Sequence, residues 1–167
     1  MLFKHLVLKL VFLVLLKYNL IMGTTRPSQR YWIIAALAVL WNLIGLFMYT
    51  NQVFMSNKHL AELPAEQAQL ITEIPQWVNG VYTVAAITGL LGSVFLIIRR
   101  GTAVTLFGIS LLAILVQMGY SLFSMDSIEV YGMVQGLIIP VLQLGVSVFL
   151  VIFSKRSAQK GYLIPAS

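Results

Sequence analysis

The chain has no cysteine and very little charge. Of its 167 residues only 10% are Asp, Glu, Lys or Arg, where a soluble domain carries roughly 25%. The missing cysteine excludes disulfides, thiolate metal sites and a Cys nucleophile. Histidine is nearly absent too. His5 and His59 both lie outside the longest apolar runs, so no histidine pair can hold a haem between helices. No two carboxylates share a face within such a run. Glu62, Glu66 and Glu73 fall in one polar segment, with Glu62 and Glu66 at helical spacing; without a His partner they read as a solvated face. A G-x-S-x-G elbow, a P-loop and a dinucleotide fingerprint are all missing. The sequence therefore offers no catalytic, cofactor-binding or metal-ligating residue, and an enzyme is not expected.

Apolar residues make up 59% of the chain. A core of this size cannot bury them all, and lipid is the natural solvent for the rest. The formal net charge of +6 does not point to nucleic acid, because Lys and Arg flank the apolar runs and form no patch with interleaved aromatics. Four stretches reach the roughly 20 apolar residues that cross a bilayer. They cover about 31–50, 77–98, 102–125 and 132–153, and none contains Asp, Glu, Lys, Arg or His. The expected fold is an all-α, up-down-up-down four-helix transmembrane bundle.

The connecting segments sort by sign. Arg26 and Arg30 precede the first span, Arg99 and Arg100 join the second to the third, and Lys155, Arg156 and Lys160 follow the fourth. The acidic residues Glu62, Glu66, Glu73, Asp126 and Glu129 all fall in the other two loops, with Lys58 as the lone basic residue there. The positive-inside rule then places the arginine end, and both termini of the four-span body, in the cytoplasm. Tyr31, Trp32, Trp77 and Tyr131 stand where interfacial anchors are expected.

Residues 1–22 fit this scheme badly, since Lys4, Lys9 and Lys17 interrupt an otherwise apolar stretch. It lacks the small-residue cleavage site of a signal peptide. Met22 and the basic lead-in after it look like a genuine start, so 1–22 reads either as an over-extended beginning or as an uncleaved membrane-surface segment, and 23–167 as the membrane domain. Between the first two spans, Pro64 can open and Pro75 can close a short amphipathic helix. It serves either as a lid over a solute path or, the simpler reading, as a connector that keeps its apolar side dry.

Within lipid, helices associate through small residues and side-chain hydrogen bonds. Tyr31, Ala35, Ala38, Asn42, Gly45 and Tyr49 share one face of the first span. Asn79, Thr83, Ala86 and Ser93 align on the second, with Ala85 and Gly89 beside them. Ala103, Ser110, Ala113, Gln117, Ser121 and Ser124 form a seam on the third. On the fourth, Gly132, Gly136, Gln143 and Ser147 line up. Gly132 and Gly136 form a GxxxG suited to helix packing, and Pro140 should kink the helix by removing the bond to the Gly136 carbonyl. Asn42, Gln117 and Gln143 are the polar candidates at mid-membrane. They either line a solute site or, the simpler reading, bond between helices.

Several runs carry a resemblance: RYWIIAALAVLWNLIG from Arg30, LPAEQ from Leu63, IPQWV from Ile74, LLGSVFLIIRR from Leu90, SLLAILVQMGY from Ser110 and VFLVIFSKRSAQKGYL from Val148. Together they resemble a family of small four-span bacterial membrane proteins, usually called uncharacterised and sometimes labelled sugar transporter. The resemblance covers about 26–163, is one of overall pattern, and implies a bacterial inner-membrane location. The sequence favours a non-enzymatic accessory or structural membrane protein. The alternative is a carrier, or carrier subunit, for a small neutral solute such as a sugar. A single four-helix body is thin for that task, so a carrier would call for a homodimer packed along Gly132 and Gly136.

Overall fold

Hydrocarbon offers no hydrogen bonds, so a spanning chain must satisfy its backbone internally, and a helix does so within one segment. The computed structural model describes residues 25–125 and 127–165. The 1–22 extension lies outside the described residues. The elements are α1 (Gln29–Val53), α2 (Asn57–Ala61), α3 (Ala65–Glu73), α4 (Gln76–Ile97), α5 (Thr102–Ser124), α6 (Ser127–Met133), a π-helical turn (Val134–Ile138) and α7 (Ile139–Gln159). Helices α1, α4 and α5 hold 25, 22 and 23 residues, about 33–38 Å at 1.5 Å per residue. With the composite Ser127–Gln159, four helices are long and apolar enough to cross a membrane. The chain is an all-α four-helix membrane bundle, as expected.

The bundle is a row closed at one end. Helix α4 packs most extensively on α5; α1 lies against α4, and α7 against α5. On α1 the buried residues are Tyr31, Ala35, Ala38 and Tyr49, the stripe its sequence presents. On α4 the seam is rotated. Val78, Ala85, Gly89, Gly92, Ser93 and Leu96 are buried, while Asn79, Thr83 and Ala86 are half-buried. The cause is Phe107 on α5: a Cβ on Gly92 would meet its ring at 3.0 Å. Bare glycine backbone therefore receives the ring and draws this face of α4 into the seam. Leu37, Leu43, Leu112 and Val116 are exposed on the outer surface. Lipid accepts such a surface, because its tails are as apolar as leucine.

The arginine end is sealed. Tyr31, Ala35, Ala38, Leu96, Ala103, Phe107, Leu150 and Leu163 form the main core cluster. Tyr31 is not an interfacial anchor: its hydroxyl donates to the Leu96 carbonyl at 2.5 Å, and Phe153 and Tyr162 pack on its ring. Trp32 and Trp77 are exposed, as anchors should be. Tyr131 is half-buried. Beyond α7 the chain turns at Gly161 (φ 71°) and crosses to the α4–α5 turn. There the Gly101 amide donates to the Ile164 carbonyl and the Ile164 amide to the Arg99 carbonyl, each at 2.7 Å. Arg99, itself at φ 60°, donates through Nε to the Tyr162 carbonyl (2.8 Å) and through Nη2 to the Thr25 carbonyl (3.1 Å). The three basic segments thus meet at one end of the bundle.

The fourth span departs most from its sequence reading, which expects one helix kinked at Pro140. Gly132 breaks it first, at φ 76° and ψ 172°, a conformation open essentially to glycine alone. A π-turn follows, in which the Ile139 amide donates to the Val134 carbonyl, and Pro140 sits at the start of α7. Widening the turn just before the proline absorbs the distortion. Gly132 and Gly136 therefore do not share a face of one helix. A Cβ on Gly136 would stand 2.5 Å from the Ser127 carbonyl oxygen and 2.7 Å from the Ile128 Cα. The surface at Gly136 is filled by the chain's own α6.

These glycines can be tested in detergent by thermal unfolding. Gly132→Ala should destabilise by about 1–3 kcal/mol through backbone strain, and Gly136→Ala should lower the midpoint by displacing α6. Gly145→Ala, with nothing within 4 Å of the new Cβ, should leave the midpoint unchanged or raise it.

Candidate functional site: a charge-free cavity between the helices

Away from the arginine end, α1 and α7 stand apart at the two ends of the row. The space between them is a cavity of about 290 Å³, with α4 and α5 behind it. Its polar lining is Asn42 and Gln52 from α1, Tyr82 from α4, Ser110 from α5, and Gln143 and Ser147 from α7. A second cavity, of about 650 Å³, lies toward the acidic loops and shares Met48, Gln52, Tyr82, Ile139 and Gln143 with the first. Helix α3 contributes Leu63 just ahead of it, Gln67, Ile71 and, just after it, Ile74 to this outer cavity. The amphipathic helix expected between the first two spans exists at Ala65–Glu73, opened by Pro64 and followed by Pro75. Its apolar residue Ile71, with Leu63 and Ile74 at its ends, lines the outer cavity.

The sequence's three candidate amides all reach this space. Asn42 lines the inner cavity, Gln117 the outer one and Gln143 both. Asn42 donates from Nδ2 to the Ala38 carbonyl of its own helix at 2.8 Å. Its Oδ1 occupies the place where a Cβ on Gly89 would fall, and Ser110, which donates to the Ala85 carbonyl at 2.9 Å, closes on the same glycine. Gly89 thus lets two polar side chains approach the α4 backbone. Beside them the Tyr49 hydroxyl meets Thr83 Oγ1 and the Asn79 carbonyl, tying α1 to α4. Among the described residues, Gln117 and Gln143 have no protein hydrogen-bond partner, and none of the three amides bonds to another helix.

Sequence reasoning missed other lining groups. Gln52 continues the α1 stripe from Asn42, Gly45 and Tyr49, and the fitted span ended two residues short of it. Gln135 lies where the π-turn shifts the helical register. Gln67 belongs to the loop helix. Asn51 and Asn79 add two further carboxamides to the outer cavity, and Tyr82, Tyr120 and Tyr131 add phenol groups.

Among the described residues, none that lines either cavity is charged or a histidine. An ion placed there would lose its hydration without a compensating charge. A carboxamide offers two donors and an acceptor, and a hydroxyl offers both roles. The lining thus suits an uncharged group rich in hydroxyls or amides. Glu62 and Glu66 do not share a helix face, because Glu62 ends α2 and Glu66 lies in α3 beyond Pro64. Among the described residues, no cluster of three His, Cys, Asp or Glu is present. No family model, curated protein or solved structure matches the chain.

The absence of native cysteine makes single-cysteine labelling unambiguous. Gln143→Cys and Gln117→Cys should react readily with a water-soluble maleimide in detergent. Ser93→Cys, at a position with no exposed surface, should react at least about tenfold more slowly, as expected for a thiol without access. Equal rates at all three positions would deny that the cavity is an accessible space.

Proposed function

We propose that the protein binds a small uncharged solute, rich in hydroxyl or amide groups, in the cavity between its helices, and that it serves as a carrier or carrier subunit. One observation carries this reading: Gln117 and Gln143 line the cavities with carboxamides that have no hydrogen-bond partner among the described residues. A polyol or sugar has the matching chemistry, in line with the label attached to the family the sequence resembles. The charge-free lining supports binding over catalysis and gives no support to proton coupling. Charge asymmetry supports an orientation with the arginine end in the cytoplasm and α3 outside, in a bacterial inner membrane.

The sealed arginine end favours a second reading. With Tyr31 bonded to Leu96 and Arg99 holding the segments at Thr25 and Tyr162, hydrogen bonds among the described residues close that side, and the protein would act as a solute-sensing accessory. Proteoliposomes separate the two. Uptake of labelled glycerol or glucose that falls at least about tenfold in both Asn42→Leu and Gln143→Leu, the scale of one lost buried hydrogen bond, supports the carrier. Saturable binding without flux supports the accessory reading, and neither binding nor flux removes the solute site altogether. For orientation, an impermeant maleimide should label Glu66→Cys but not Arg100→Cys in intact cells; the reverse pattern would invert the topology.

A further inference from the structure

Among the described residues, α4 and α5 stand behind the inner cavity, and α1 and α7 flank a gap at its front. Behind it stand Tyr82 and Ala85 of α4 and Ser110 of α5. Its front edges are Trp41, Ile44 and Met48 on α1, at 37%, 49% and 58% exposure, and Ile139 on α7, at 45%. Trp41, Ile44 and Met48 recur at helical spacing, so they form one stripe turned toward the gap. They lie in the charge-free middle of α1, level with Asn42, at a depth where the surroundings are hydrocarbon. The front of the cavity is therefore a side door to the bilayer. The outer cavity beneath α3 remains its connection to the acidic-loop side.

A wholly polar solute would meet this front badly, since its hydroxyls would face acyl chains with no partner. An acyl chain alone would fill the front and leave Asn42 Oδ1 and the Gln143 amide unsatisfied. Both demands are met by one molecule that is polar at one end and apolar at the other. The uncharged lining further requires an uncharged head, because a phosphate or ammonium would find no counter-charge.

Building on the solute site proposed above, we propose that its ligand is an amphiphile: an uncharged, hydroxyl-bearing headgroup on an apolar chain, entering from the bilayer between α1 and α7. The headgroup lies against Asn42 and Gln143, and the chain leaves between Trp41 and Ile139. Trp41 and Ile44 are positioned to sort ligands by their tails, and the amides to sort them by their heads.

The test places a small fluorophore on Ile44→Cys, a unique thiol in this cysteine-free chain, with the protein in lipid nanodiscs. The probes are octyl glucoside below its micelle concentration, free glucose, and an octyl chain on a phosphocholine head. A saturable fluorescence change with octyl glucoside is expected, weakened about tenfold by Gln143→Leu, the scale of one lost hydrogen bond. Glucose and the phosphocholine should be inert at the same concentration. Glucose binding, read by equilibrium dialysis, with an affinity equal to that of octyl glucoside would overturn the side door and leave the solute site standing. If neither glucoside nor glucose binds, the solute site falls with it. A change that does not saturate, or that Gln143→Leu leaves untouched, would mean mere partition into lipid and overturn the proposal. Disulfide-linked dimers through Cys at position 44 would also overturn it, by showing that a second copy covers the gap.

Discussion

A polar group placed in hydrocarbon without a partner costs several kcal/mol, and this constraint orders the whole molecule. It makes the spans helical, and it also governs their side chains. Ser93 donates to the Leu90 carbonyl, Thr88 to that of Val84, Thr83 to that of Asn79 and Ser154 to that of Val151, each within its own helix. Asn42 does the same toward Ala38. Small polar residues can thus line the seams without needing one another, and the helices approach through glycine and alanine instead. Among the described residues, no fully buried side-chain nitrogen or oxygen lacks a partner. Amides left over, Gln52, Gln117 and Gln143 among them, face the cavities, where water or a ligand can reach them.

The two ends of the bundle answer the same constraint differently. At the arginine end the backbone is irregular, with Arg99 at positive φ and an extended tail, yet the carbonyls of Thr25, Arg99, Lys160, Tyr162 and Ile164 all receive hydrogen bonds. A guanidinium holds three segments together because its donors form a planar fork on one rigid group. At the other end the irregularity is a break at Gly132 and a π-turn before Pro140. Non-helical backbone at membrane depth is tolerated where it lines a cavity or is buried in protein. Gln135, Gly136, Ile139 and Pro140 do line the outer cavity. The distortion that opens the fourth span and the space it opens onto are one feature.

Much of this could be read from residues alone. The spans were legible because apolar length and missing charge report directly on solvent. The α1 face was legible because its stripe of small and aromatic residues keeps a 3.6-residue period over the whole helix. The three amides were legible as candidates because so few polar groups lie at depth. What was hidden depends on contacts between elements. Phe107 rotates the α4 seam onto Gly92, and nothing in α4 announces that ring. Tyr31 carries the same residue type as an interfacial anchor, and the Leu96 carbonyl with the rings of Phe153 and Tyr162 makes it core. The π-turn moves Gln135 off the face that regular periodicity assigns it. The short helix α2 did have a local signal, Ser56, whose hydroxyl accepts the His59 amide as an N-cap.

The odds on the amides shift for a physical reason. In a tight bundle a mid-membrane Asn or Gln finds a partner on the next helix, and such bonds average only about 0.6 kcal/mol. A bonding role for these amides would therefore add little stability, and a cavity around them removes packing besides. A bundle that leaves carboxamides facing open space forgoes both contributions, and water or the proposed ligand would restore their hydrogen bonds. If such a molecule is to cross, the arginine end must also open. That would release the Tyr31 bond to Leu96 and the Arg99 bonds to Tyr162 and Thr25, at about 0.5–3 kcal/mol each. The sum is a few kcal/mol, within what the differential binding of a ligand supplies to a two-state equilibrium. Under the carrier reading, the seal would then be strong enough to hold that end closed at rest and weak enough for an occupant to bias.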